Sequence, residues 1–421
     1  MSRYLARIQT LRIAAFDEKE YALWQTLSMF IPFGPLCPNL RELYINFDGL
    51  EISEAHYFTP LLTSSLRSIS IYDPDYSETG EMAACLILDT LRFRNAKISS
   101  IFYRGRTTKR ILKRIASFHT LHSISVPLCK PPGQRKSSIA SSLTRNLTNL
   151  DINVGQFPDN TLQEAGKEFE RLVSLTSLKL RGELDTIHKC IRDLNPITSI
   201  SSFGLCRDVS FSSYTKRIPA LIPLLTTIFP NLHSLHLENI GSNILMVTFD
   251  DLMSFRERPM KALNLINCLN TMRCMNHIVD ILKVWPTLQH LWYQGEDLYA
   301  EDLLPLVSCS APSLQDLTLS LKFPDVWEAS VENEAICPLQ YLRTPQPVEF
   351  DFDCPKTFRH VHELIKIFPG LRVISERTNS TWKFATIDFT IKDTNFAEEH
   401  DMELKMLKAR RSSEVPYRHK W

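Results

Sequence analysis

The chain has 421 residues, 44% hydrophobic and 23% charged, with a formal net charge of +1. This composition excludes a disordered chain, and the charge balance excludes a partner gathered by bulk electrostatics. Ten cysteines are scattered without a Cys-x-x-Cys pair, which argues against a structural zinc site and for buried reduced thiols. The opening Met1–Arg7 carries no apolar core of signal-peptide length, and no run reaches the ~18 apolar residues of a membrane span. A cytoplasmic or nuclear protein with no membrane association is expected.

In chain order, Cys37-Pro38-Asn39-Leu40-Arg41-Glu42-Leu43 is the first clear copy of a recurring stretch. Phe229-Pro230-Asn231-Leu232-His233-Ser234-Leu235-His236-Leu237 is its cleanest form, and further copies begin at Trp285 and Ala311. The underlying pattern is apolar-x-x-apolar-x-apolar. Indexed by the middle apolar residue, it falls at Leu11, Leu43, Ile69, Ile101, Ile124, Leu150, Leu178, Phe203, Leu235, Leu263, Leu291, Leu317, Leu342 and Ile374. The spacing averages about 28 residues, the range of leucine-rich repeats.

Each match predicts a short strand, because alternate residues there are apolar. Between strands, apolar residues at three- and four-residue spacing predict amphipathic helices. These are Lys19–Phe30 (Trp24, Leu27, with Ile31 just beyond), Glu81–Phe93 (Met82, Cys85, Leu86, Leu88, Leu91) and Arg106–Phe118 (Ile111, Ile115, Phe118). Lys216–Ile228 (Ile218, Leu221, Ile222, Leu225, Ile228) and Asn276–Val284 (Ile278, Ile281, Leu282) follow. The proline of the motif is expected to end each helix and lead into extended chain.

The expected fold class is α/β: a leucine-rich-repeat solenoid with a curved parallel sheet on the concave side and helices on the convex side. About 13 irregular repeats form a single unit over 1–392, closed by an alternating strand near 382–391. A charged helix and tail follow over 393–421.

On the Phe-Pro-x-Leu repeats, the chain resembles the repeat region of fungal F-box proteins over residues 4–375, although no F-box is visible. The resemblance implies the substrate-recognition part of an F-box-type ubiquitin-ligase receptor, with the ligase adaptor as a partner only if an F-box lies upstream. The alternative is a stand-alone scaffold or inhibitor without a ligase link. Residues 1–13 carry no polar cap for a terminal repeat, so either upstream sequence or a partner strand is expected there.

Residues between the inward apolar positions of each strand face the open side. Tyr44, Tyr72, Phe102, Arg104, Lys179, Arg181, His236, His290 and Trp292 are the candidate protein contacts, since aromatics and Arg anchor interfaces. Charge is segregated along the chain. Residues 91–150 hold 13 Lys/Arg and no Asp or Glu, whereas 294–353 hold 12 Asp/Glu against Lys322 and Arg343. Lys109, Arg110, Lys113 and Arg114 form a basic patch suited to an acidic or phosphorylated protein partner. Sparse aromatic interleaving disfavours nucleic acid.

No catalytic site and no cofactor is expected. There is no Gly-rich phosphate loop and no Gly-x-Ser-x-Gly. His188 and Cys190 are two apart on a predicted helix and face different sides. Cys268, Cys274 and His277 could be drawn as metal ligands, but Cys268 and Cys129 sit at the same offset from their strands, which reads as structural.

Overall fold

The indexed apolar residue of each repeat lies opposite that of the next. A computed structural model describes residues 2–13, 26, 35–47, 52–127, 146–154, 169–192, 194–207, 221–239, 247–268, 275–324, 337–344, 360, 363–378 and 381–386. The expected helix Lys19–Phe30 (apart from residue 26), residues 216–220, Cys129, Cys274, the strand extension 387–391 and the tail 393–421 lie outside them. The chain forms two compact units, Met1–Val209 with Ile228–Asn231, and Ser210–Thr227 with Leu232–Trp421.

In the first unit the strands are β1 (Thr10–Ile13), β2 (Glu42–Asn46), β3 (Ser68–Tyr72), β4 (Ser100–Arg104), β5 (Ser123–Pro127), β6 (Asn149–Asn153), β7 (Ser177–Arg181) and β8 (Ser202–Arg207). They pair in parallel in chain order, with Leu11 opposite Leu43, Leu43 opposite Ile69, and so on to Leu178 opposite Phe203. The second unit holds β9 (Ser234–Asn239), β10 (Ala262–Ile266), β11 (His290–Tyr299), β12 (Asp316–Lys322), β13 (Tyr341–Thr344), β14 (Val373–Thr378) and β15 (Thr381–Thr386). The same register runs from Leu235 through Leu263, Leu291, Leu317 and Leu342 to Ile374. Between β11 and β12 the register shifts after Tyr293 and resumes at Leu298 opposite Leu321, and β15 runs antiparallel to β14. From Leu43 onward every indexed residue is at most 2% exposed. One apolar ladder per unit therefore forms the core, and each repeat buries its face only against its neighbours.

The motif residues before each strand have a second role. Leu40 donates its N–H to Cys37, Leu121 to Phe118, Leu288 to Trp285 and Leu314 to Ala311, so each stretch is a β-turn. Proline fits the second position of such a turn, where its φ is already fixed. The third-position side chain reaches back one repeat to a carbonyl: Asn39 to Ala6, Ser65 to Pro38, Thr120 to Ile98, Asn231 to Thr198, Thr287 to Met260. Small polar residues recur there because each satisfies a carbonyl in the preceding turn.

The helices cover one side of the strands. Leu221–Ile228 and Met275–Val284 bury the expected residues Leu221, Ile222, Leu225, Ile228, Ile278, Ile281 and Leu282. Lys109–Ile115 is shorter than expected but buries Ile111 and Ile115, with Phe118 just beyond. Glu78–Phe93 differs. Met82 and Leu86 are 41% and 43% exposed, and the buried stripe is Gly80, Ala84, Ile87, Leu88 and Leu91 together with Ala83 and Cys85. Two alanines and a glycine lie in the buried stripe, with Gly80 against the Asp73 side chain, so the large residues were a poor guide to the buried face.

Candidate functional site

Strands β2, β3, β4, β6 and β7 alternate between buried and half-buried or exposed residues, so one face is sealed and the other open. Tyr44, Phe102 and Lys179 are half-buried on this open face, Tyr72 is 36% exposed, and Arg104 is exposed. Tyr72 and Arg104 are register partners, and the Arg104 guanidinium lies over the Tyr72 ring at 5.4 Å. Arg12 lies over Tyr44 in the same way at 5.1 Å. Each guanidinium thereby lies within cation–π reach of an aromatic face. The aliphatic stem of Lys179 lies across Gly204, where a Cβ would meet Lys179 Cγ at 2.9 Å.

A small cleft interrupts this face. Pairing between β4 and β5 stops after Phe102 opposite Ser125, whereas β5 and β6 remain paired through Pro127 opposite Asn153. Pro127 has no N–H with which to continue the β4 side of the ladder. The pairing ends there, and a small gap beside it is lined by Tyr76, Phe102, Tyr103, Arg104, Ser125, Val126, Asn153 and Arg181. Three expected contacts, Phe102, Arg104 and Arg181, thus converge. Arg181 is fixed by Asp151, donating from Nε to Oδ1 at 2.7 Å and from Nη2 to Oδ2 at 2.6 Å. Such a bidentate pair sets the orientation of the guanidinium as well as its charge balance.

The loop bearing Tyr76 is built from beneath. Asp73, 1% exposed, accepts hydrogen bonds from the N–H groups of Asp75 and Ser77 at 3.2 and 3.0 Å. Burial pushes its carboxyl above the ordinary carboxylate range, and those N–H groups oppose the rise. Ser77 then caps the helix Glu78–Phe93 by accepting from Gly80 N–H at 2.8 Å. Tyr76 sits between them with φ of +51°, a conformation uncommon for a large side chain. Tyr76, Ser125 and Asn153 were not among the candidates. Their signal was the turn sequence Asp73-Pro74-Asp75-Tyr76-Ser77 and the proline ending β5.

The second unit places its candidates differently. His236 and Trp292 are only 8% and 7% exposed, and His236 Nε2 lies 3.1 Å from Glu238. Along the same rows Asn264 and Ser320 are 0% exposed and Thr318 2%. The sequence pattern, which counted these as open-face positions, does not register that burial. His290 keeps a side chain 44% exposed, 3.9 Å from Asp316, which also pairs with Arg343 at 2.9 Å.

The basic patch lies on the helix Lys109–Ile115. Lys109, Arg110 and Lys113 are exposed, whereas Arg114 donates from Nε to Asp89 at 2.8 Å. Arg106 lies within 3.7 Å of Glu78 and 3.8 Å of Glu81. The charge bias of 91–150 is therefore partly offset in space by carboxylates of the preceding repeat. Much of the acidic stretch, 325–336 and 345–353, lies outside the described residues.

The thiols are structural in character. Cys190 is 1% exposed and burial pushes its pKa up to about 12, so no thiolate forms at neutral pH. Cys268 donates to the carbonyls of Leu237 and Ile266 at 3.0 Å each. His277 stacks on Phe249 with centroids 5.5 Å apart. Among the described residues no group of three or more His, Cys, Asp or Glu is placed to hold a metal ion, and no helix is long and apolar enough to cross a membrane.

No protein-family model and no curated protein matches the chain. Among solved structures it is similar to the leucine-rich-repeat-containing protein LegL7 from Legionella pneumophila, at 14% identity over 87% of this chain and 91% of that one, with a TM-score of 0.37. It is also similar to an internalin (InlF) from Listeria monocytogenes, at 14% identity over 81% of this chain and 88% of that one, with a TM-score of 0.29. The leucine-rich-repeat fold rests on the register and burial given above.

Proposed function

We propose that the chain is a protein-binding repeat scaffold, not an enzyme, and that it engages its partner across the open face of the first unit. The observation that carries this reading is the polar and aromatic open side of β2 to β7, where Tyr72 and Arg104 are exposed beside the cleft while the opposite side is sealed. Rigid strands present these groups with little ordering cost, which favours a binding surface.

The finer reading is the substrate-recognition part of an F-box-type ubiquitin-ligase receptor, supported by the resemblance of the repeats. The exposed Lys109, Arg110 and Lys113 support a partner with an acidic or phosphorylated segment.

Affinity capture with quantitative mass spectrometry tests these readings together. Partners held by the wild-type chain should fall by about tenfold or more in a Tyr72→Ala/Phe102→Ala variant of unchanged circular dichroism. Equal recovery would refute the open-face reading. Reversal of Lys109, Arg110 and Lys113 to Glu should weaken capture and flatten its salt dependence, and unchanged behaviour would remove the basic helix from the interface. Copurification of a ligase adaptor supports the receptor reading, and its absence from the captured set favours the stand-alone scaffold.

A further inference from the structure

We infer that the cleft between the ends of β4 and β5 takes one carboxylate side chain, Glu or Asp, from an extended stretch of the protein partner. The inference rests on the open-face reading above and adds the chemistry of its anchor point.

Two guanidinium groups meet at the cleft, and they differ. Asp151 holds Arg181 in a bidentate pair and balances its charge. Among the described residues no carboxylate pairs with Arg104, whose guanidinium is exposed and rests on the Tyr72 ring. Arg104 is therefore a positive charge at the cleft that no described carboxylate balances. A carboxylate from the partner matches it. Arg104 offers a planar fork suited to a carboxylate, and its stacking on Tyr72 limits the side-chain freedom lost on binding.

The rest of the lining agrees with one acidic side chain. Ser125 and Asn153 add neutral polar groups to the lining, and Phe102 and Tyr76 add apolar surface for a methylene stem. The gap opens onto a broad strand face and not into an enclosed cavity, which suits a residue projecting from a larger partner. Because the Asp73 turn holds the backbone at Tyr76 and Asp151 holds Arg181, these two parts of the lining are in place before the partner arrives.

A peptide library retained on the full-length protein tests this directly. One position is fixed as Glu, Gln, phosphoserine or Ser, and the flanking positions are degenerate. Glu should be recovered roughly three- to fivefold over Gln, the scale of a partly exposed ion pair. The preference should shrink in Arg104→Lys and vanish in Arg104→Gln, an exposed site where the fold is not at risk. Equal recovery of Glu and Gln, a preference that survives Arg104→Gln, recovery of phosphoserine above Glu, or no retention at all would each overturn the inference. Peptides retained without regard to charge but lost in Phe102→Ala would leave the open-face reading standing while the carboxylate site falls.

Discussion

Gly80→Ala should rank among the most destabilising single changes in the first unit, costing about 2–4 kcal/mol. A Cβ at residue 80 would meet Asp73 Oδ2 at 2.2 Å and Cγ at 2.4 Å. Asp73 has nowhere to retreat, being buried and bonded to the N–H groups of Asp75 and Ser77. Either the helix Glu78–Phe93 shifts or the Asp73 turn opens and leaves those donors unsatisfied. Urea unfolding followed by far-ultraviolet circular dichroism measures the loss. Asp73→Ala is costly by itself, but with the carboxylate gone the added methyl at residue 80 should cost under about 1 kcal/mol. A Gly80→Ala change within about 0.5 kcal/mol of wild type would mean that helix and turn do not meet as described.

Leu178→Ala should cost about 2–5 kcal/mol, while its neighbour Lys179→Ala should cost less than about 1 kcal/mol. Leu178 is 0% exposed and faces Leu150 on one side and Phe203 on the other, so truncation leaves a void at the centre of three repeats. Lys179 points to the open face, where its stem covers Gly204. Neighbouring repeats share that core, so the loss should appear as a lower unfolding midpoint of the first unit and not as local fraying. Similar costs at the two sites would contradict the assignment of faces, because a one-residue slip exchanges them.

The strand register was legible because it depends on a period and an alternation that the chain repeats fourteen times, and each indexed residue proved to be the partner of the next within its unit. Helix faces were legible where large residues carry them, as at Ile278, Ile281 and Leu282. They were misread at Met82 and Leu86, where the buried stripe runs instead through Gly80, beside Asp73, and Ala84. Charge was legible only along the chain. Arg114 and Asp89 are 25 residues apart, so a window that begins at residue 91 separates a cation from its partner. The cleft was half legible. Phe102, Arg104 and Arg181 follow from their strand positions, but their convergence depends on β4 and β5 parting after Phe102 and on a turn that places Tyr76 over the gap. Neither consequence follows from periodicity, although Pro127 and the Asp73–Ser77 turn residues are visible once the cleft is known.

The surface of the first unit that a partner covers distinguishes the open face from the basic helix. Amide hydrogen exchange, with and without the captured partner, reports this on the backbone. Protection should concentrate in Asp73–Ser77 and Arg104–Thr108, the loops that flank the cleft, and should be lost with the Tyr72→Ala/Phe102→Ala variant. Protection confined to the helix Lys109–Ile115, with both loops exchanging as in the free protein, would contradict the open-face reading.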